Sequence, residues 1–296
     1  MKPTFRLFPA VFVALGLGGQ AAVPDRDAAC CHQERGADLL RAKHAELAGP
    51  LASNPYGRPL YIESRESDRA LKGDVYAVVN HPFAQVRDTL SRPASWCEVM
   101  LLPFNTKGCS ADADTLQVFV GRKSDTPIDS AFRIDFHYGV KARTDDYLHV
   151  ALDAPTGPVG TRDYRIVLEA APIEGGRTFL HLSYSYGYGA MSRLAMQTYL
   201  ATAGAEKVGF STEADGQGRP HLVQGVRGVV ERNTMRYFLA IGAFLDSLTS
   251  PPETRVEKRL RDWFAATERY RRQLHEMDLG EYLSMKLREY ARLAAR

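Results

Sequence analysis

The uninterrupted stretch from Gly225 to Leu248, GVRGVVERNTMRYFLAIGAFLDSL, constrains this chain more than any other. Val226, Val230, Phe238, Ile241, Leu245 and Leu248 recur at three- and four-residue steps, the apolar stripe of one long helix. Counting back from Phe238 at about 100° per residue puts Thr234, Glu231 and Arg227 on the same face. One face is thus greasy at one end and polar at the other, which suits the wall of a cavity better than a plain core. Arg227 and Glu231 lie one turn apart and can pair. Exposed, such a pair does little. Buried, it is costly, and recognition of a ligand's hydroxyl or carboxylate would be a reason to keep it.

A helix cannot bury its own stripe, and the chain before it supplies strands to cover it. Pro59 to Ser64, Gly73 to Asn80, Leu116 to Gly121 and Tyr147 to Asp153 read as strands. Ala131 to Val140 alternates, with Phe132, Ile134, Phe136, Tyr138 and Val140 on one face and Arg133, Asp135 and His137 on the other. Arg162 to Ala171 and Arg177 to Tyr188 form a hairpin joined by PIEGG. That loop predicts Ile166 opposite Leu182, Leu168 opposite Leu180 and Tyr164 opposite Tyr184. Between the early strands and the meander, His81-Pro82 starts a helix with Phe83, Val86 and Leu90. A second helix begins at Pro93 and carries Trp96, Val99 and Met100. Ser192 to Ala203 reads as an inserted helix and Lys207 to Thr212 as a further strand.

Strand, two short helices, antiparallel meander, long helix: this order resembles the helix-grip fold of the START and Bet v 1-like superfamily. The text closest to it is GDVYAVVNHPFAQVRDTLSRPASWCEVM, residues 73 to 100. The resemblance covers residues 58–250 and implies an α+β fold. In it a curved antiparallel sheet wraps the last helix around an internal cavity for an apolar ligand, with no shared catalytic motif and no cofactor. Tyr138, Tyr164, Tyr184 and Tyr186, with Tyr188 beyond them, fall on the inward face. Their rings and single hydroxyls suit a mostly apolar molecule, although core tyrosines would look the same. The expected ligand-binding set is Trp96, Tyr138, Tyr164, Tyr184, Tyr186, Arg227, Glu231, Thr234, Phe238 and Ile241.

Other signals place the chain outside the cytoplasm. Lys2 and Arg6, the apolar run Leu7 to Gly19 and the small residues through Ala21 make residues 1–21 a cleavable leader. The expected location is periplasmic, or secreted. Export permits disulfides; Cys97 and Cys109 flank a segment whose second half, PFNTKG, reads as a loop turning at Lys107-Gly108. Two buried thiols are the alternative. Residues 22–57 hold a modest helical pattern over 32–48, closed by Gly49-Pro50, and then irregular chain. Residues 251–296 read as two amphipathic helices broken at Gly280. There Trp263, Phe264 and Tyr270 beside Arg269, Arg271 and Arg272 would touch an anionic membrane, pack on the domain, or meet a partner helix.

A net charge of +3 gives no ground for nucleic-acid binding. His137, His149 and His181 fall on the face away from the apolar side, expected to be solvated, so no metal site is assigned. No G-x-S-x-G or catalytic cysteine context is present, and no catalytic residue is assigned. The expected function is an exported binding or transfer protein for a lipid-like or other hydrophobic small molecule. The alternatives are an enzyme of the same fold, of cyclase or hydrolase type, and an interaction module with a filled cavity.

Overall fold

Each alternating run of the sequence becomes a strand in the computed structural model, which describes residues 26–124, 127–202 and 204–295. The leader lies outside the described residues, as does Ala203 at the end of the inserted helix. The strands are β1 (Leu60–Glu66), β2 (Ala70–Val79), β3 (Thr106–Ala111), β4 (Thr115–Val120), β5 (Phe132–Arg143), β6 (Leu148–Thr156), β7 (Thr161–Ile173) and β8 (Arg177–Tyr188). They form one eight-stranded antiparallel sheet in the order β1-β2-β8-β7-β6-β5-β4-β3. Helices α3 (Phe83–Leu90) and α4 (Pro93–Met100) carry the chain from β2 to the far edge, where β3 begins. Every later strand pairs with its predecessor until β8 closes on β2.

Three local expectations are corrected. The β7–β8 hairpin turns on Glu174–Gly176, with Gly175 and Gly176 at φ 76° and 68°, a backbone region glycine enters freely. β7 runs on through Pro172 and Ile173 of the expected loop and pairs Ile173 with Arg177, so Ile166 faces Tyr184 and Leu168 faces Leu182. The register slips by two, which keeps every side chain on its face. Thr106 to Gly108, the end of the expected loop, instead open β3, bulged between Thr106 and Gly108. Its Cys109 is bridged to Cys97 of α4, with Cα atoms 5.3 Å apart. Lys207 to Thr212 makes no strand apart from Thr212, which opens β9 (Thr212–Ala214), paired with β10 (Pro220–Leu222).

The face expected to be solvated is exposed at His137 on β5 but covered farther along, around His149 and His181. Helices α1 (Arg26–Glu46) and α2 (Ala48–Ala52) lie on it, packing Leu40, Leu47 and Leu51 onto Tyr147, Ala171 and Phe179. Gly49-Pro50 therefore sits inside α2 rather than ending the helix. Phe132 and Val140, expected inward, are 42% and 39% exposed. The register shift between Val140 and Ala142 turns Ala142 onto this outer cluster instead.

On the inner face, α6 (Gly225–Ser247) packs against β1, β2 and β8. The approach is closest at Gly73, where a Cβ would collide with the Thr234 hydroxyl and meet the Val230 carbonyl oxygen at 3.3 Å. Helices α7 (Arg255–Glu268), α8 (Arg271–Leu274) and α9 (Leu279–Ala294) close the other side of α6. Leu260, Trp263, Leu274 and Tyr282 are wholly buried in the same core as the sheet. Trp263 donates from Nε1 to the Arg236 carbonyl at 3.1 Å, and Tyr282 from its hydroxyl to the Leu102 carbonyl at 2.9 Å. Trp263, Phe264 and Tyr270 are thus packed onto the domain, the second of the three expected arrangements. Only the arginines Arg269, Arg271 and Arg272 of that surface stay exposed.

Candidate functional site, a cavity between sheet and helix

Because α6 is pressed onto the β1-β2-β8 end of the sheet, it parts from the other strands, and a hollow of about 350 Å³ is left between them. Val118 and Val120 of β4, Ile134 and Phe136 of β5, and Val229 of α6 give it an apolar wall. Tyr164, Tyr184, Tyr186 and Tyr237 bring hydroxyls into that wall. Tyr164 reaches it from an irregularity in β7 between Arg162 and Arg165, where Asp163 sits at φ 51°. Its hydroxyl bonds that of Thr161 at 2.8 Å, and its ring stacks on Tyr186 at 5.4 Å. The Tyr184 ring lies 5.4 Å from that of Tyr237. Among the described residues, no protein group hydrogen-bonds the hydroxyls of Tyr184, Tyr186 or Tyr237. Burial raises the pKa of all three, and neighbouring tyrosines add to it, so they stay protonated and can donate to a guest.

The wall also carries charge. Lys123, Arg232 and Arg236 line it together with Asn105 and Asn233. One carboxylate, Glu276, takes Lys123 at 2.6 Å, Arg236 at 2.6 Å and Lys207 at 2.8 Å. Burial favours the neutral acid at Glu276, but Arg236 and Lys123 outweigh it and hold the group below its ordinary value. Burial and the nearby Arg236 push Lys123 down to about 8. Arg232 is only 1% exposed and donates from Nη1 to the Val208 carbonyl at 3.1 Å.

A second hollow of about 160 Å³ adjoins the first, sharing Thr161, Tyr186, Ser192 and Met196 with it. Helix α5 (Ala190–Ala201), the expected insertion, supplies residues to both. Facing α5 is the turn Pro158–Gly160, whose Val159 lines the larger hollow at φ 57° while 57% exposed. A β-branched residue in the left-handed region is strained, and such strain gathers where a backbone frames a binding site.

Of the ten residues expected to meet a ligand, Tyr164, Tyr184 and Tyr186 lie on the larger hollow. The other seven do not line it. Trp96 and Tyr138 are buried donors to one acceptor, the Leu90 carbonyl, at 2.8 and 3.4 Å. Phe238 and Ile241 belong to the packed core. Thr234 lies against β2 and donates to the Val230 carbonyl at 2.8 Å. Glu231 is fully buried and accepts from the Ser64 hydroxyl at 2.7 Å, the Phe210 amide at 2.6 Å, the Ser211 amide at 2.9 Å and the Ser211 hydroxyl. Those four donors satisfy its carboxylate, and they explain why Phe210 and Ser211 spend their amides on a side chain instead of on a ladder. Arg227 turns away from Glu231 to Glu213, at 2.6 Å. The helix was legible as a cavity wall, but its lining face is Val229, Arg232, Asn233, Arg236 and Tyr237. The i, i+4 pair Arg232 and Arg236, inside a stretch otherwise fit for burial, was the signal that pointed there.

No family model and no curated protein matches the chain. Solved structures similar to it include human StAR-related lipid transfer protein 5, at TM-score 0.35 and 10% identity, covering 72% of this chain and 98% of that one. Another is a protein from Arthrobacter aurescens, at TM-score 0.34 and 13% identity, covering 63% and 92%. Norcoclaurine synthase from Thalictrum flavum aligns at TM-score 0.31 and 11% identity, covering 49% and 79%. The chain's own strand order, with one long helix held against the inner face of an antiparallel sheet, decides the architecture. It is a helix-grip fold. Departures from its simplest form are the outer α1 and α2, the inserted α5 and the three C-terminal helices.

Proposed function

We propose that this protein binds and carries a hydrophobic small molecule, lipid-like in having a long or fused apolar body, and that it does so outside the cytoplasm. The carrying observation is the hollow itself: an apolar wall set with tyrosine hydroxyls, of which those of Tyr184, Tyr186 and Tyr237 have no protein partner among the described residues. A pocket of this kind, apolar with a few convergent polar groups, is the usual form of a small-molecule site. At ~30 Å³ per water-sized unit, 350 Å³ admits roughly a dozen such units. That room suits one acyl chain or a few fused rings, not a two-chain phospholipid. The disulfide between α4 and β3 supports export, since such bridges persist in oxidising compartments.

Native mass spectrometry of protein recovered from its own host tests both parts at once. A mature chain shortened near Ala21 and carrying an organic adduct that extraction removes is the expected result. A chain that arrives empty and takes up no added amphiphile after extraction would sink the carrier reading. A guest recovered in chemically altered form would replace it with the enzyme of the same fold.

A further inference from the structure

We infer that the guest is an acid, and that Arg232, Arg236 and Lys123 hold its anionic headgroup at one end of the hollow; this deepens the carrier reading and rests on it. The deciding group is Arg232. It is 1% exposed, lines the hollow, and makes its one protein hydrogen bond, to the Val208 carbonyl, through Nη1. Its Nη2 is buried with no hydrogen-bond partner, and no carboxylate stands within ion-pair distance of it among the described residues. A guanidinium does not escape burial by giving up its proton, as a lysine can. A buried cation without a counter-ion is strongly disfavoured, so a fold that keeps one has a use for its charge.

The surroundings repeat the imbalance. Four cations, Lys123, Lys207, Arg232 and Arg236, gather at this end, and Glu276 is the carboxylate that three of them share. Three of the four line the hollow. An arriving carboxylate or phosphate would give Arg232 the charged acceptor it lacks and relieve the crowding around Glu276. The apolar wall of β4 and β5 would take the rest of the molecule. A neutral amphiphile such as an alcohol or sterol can offer Arg232 a weak acceptor but cannot balance the charge.

Isothermal titration calorimetry on the delipidated full chain compares dodecanoic acid, dodecyl phosphate and dodecanol, which share one tail. At least one of the two anions should bind about tenfold or more tighter than the alcohol, the least expected of a charge-assisted bond to a buried guanidinium. Whichever anion leads identifies the headgroup. Arg232→Met should remove most of that preference, lowering the affinity for the leading anion by a larger factor than it lowers that for dodecanol. Lys123→Met, at a partly exposed position, should lower it by a smaller factor and serves if the first variant does not fold. Dodecanol binding as tightly as both anions, or a preference untouched by either variant, overturns the headgroup assignment and leaves the carrier reading standing. If none of the three binds, the carrier reading fails and takes this inference with it.

Discussion

His181 stands on the covered face of the sheet between two carboxylates, with Nδ1 2.7 Å from Glu169 and Nε2 2.8 Å from Asp74. Tyr76 stacks on its ring at 4.3 Å, Lys72 pairs with Asp74 at 2.9 Å, and the Tyr147 hydroxyl donates to Glu169. Burial works against the imidazolium, but its bonds to Asp74 and Glu169 outweigh it, and its pKa rises above the ordinary 6.5. Burial likewise favours the neutral acids, yet His181 holds both carboxylates below their ordinary 3.8 and 4.5. The signs follow by linkage. The imidazolium's contribution is whole below 6.5 and fades as pH climbs through the higher folded-state value. The carboxylates' contribution is whole above 4.5 and fades as pH falls through their depressed values. This cluster therefore stabilises most between about pH 4.5 and 6.5. His181→Gln should cost about 1–3 kcal/mol at pH 6, because it takes a charged donor from Asp74 and Glu169 and leaves them Lys72 and the Tyr147 hydroxyl, and should flatten the loss of stability above pH 6.5. Urea unfolding from pH 5 to 9 reads both; an unchanged alkaline slope in the variant would refute the assignment. The sequence put His181 on the correct face and gave it the wrong surroundings, since alternation tells which side a residue is on and not what lies over that side. For the same reason the tyrosines of β7 and β8 were legible in the site, while Lys123 and Glu276, 153 residues apart, were not.

At the scale of the element, α6 shows why its lining face was misread. Most of its residues are buried, between the sheet on one side and α7 on the other, so apolar spacing no longer singles out one direction. What fixes its rotation is the missing side chain at Gly73, which lets Thr234 sit against β2. Gly73→Ala should cost about 1–3 kcal/mol through overpacking. Thr234→Ala in the same chain should recover part of that, a coupling that a double-mutant cycle in urea would measure. Purely additive losses would mean that this contact does not seat the helix. Strands were legible where they alternate: β5, β6, β7 and β8 all stand near their expected places. The sequence of β3, TKGCSA, offers no such pattern, and its pairing with β4 and its bridge to Cys97 are contacts made elsewhere in the chain. The two-residue slip of the hairpin passed unseen because a period of two hides it.

For the molecule as a whole, residues on both sides of position 250 share one apolar core. The C-terminal helices look appended in sequence, after Pro251-Pro252, yet they complete what the sheet and α6 leave open. Phe104 beside the hollow packs edge-on against Trp263 at 4.9 Å and Tyr282 at 5.3 Å. Lys107 of β3 and Lys286 of α9 share the buried carboxylate of Glu289, at 2.9 and 2.8 Å. Glu276, the counter-ion of the hollow's cations, comes from the same segment. A chain ended at Ser250 would uncover all of these at once. Burying a large apolar side chain contributes about 2 kcal/mol. Losing Leu260, Trp263, Leu274 and Tyr282 together therefore removes an amount comparable to the ~5–15 kcal/mol that holds a domain folded. It also leaves Lys107 and Arg236 without their carboxylates. The truncated chain should lose its cooperative thermal transition and its fixed aromatic environment, as near-ultraviolet circular dichroism would record, and should bind no amphiphile. A truncated chain that melts cooperatively near the full-length temperature would support a boundary at 250 and show that sheet and α6 close the hollow unaided.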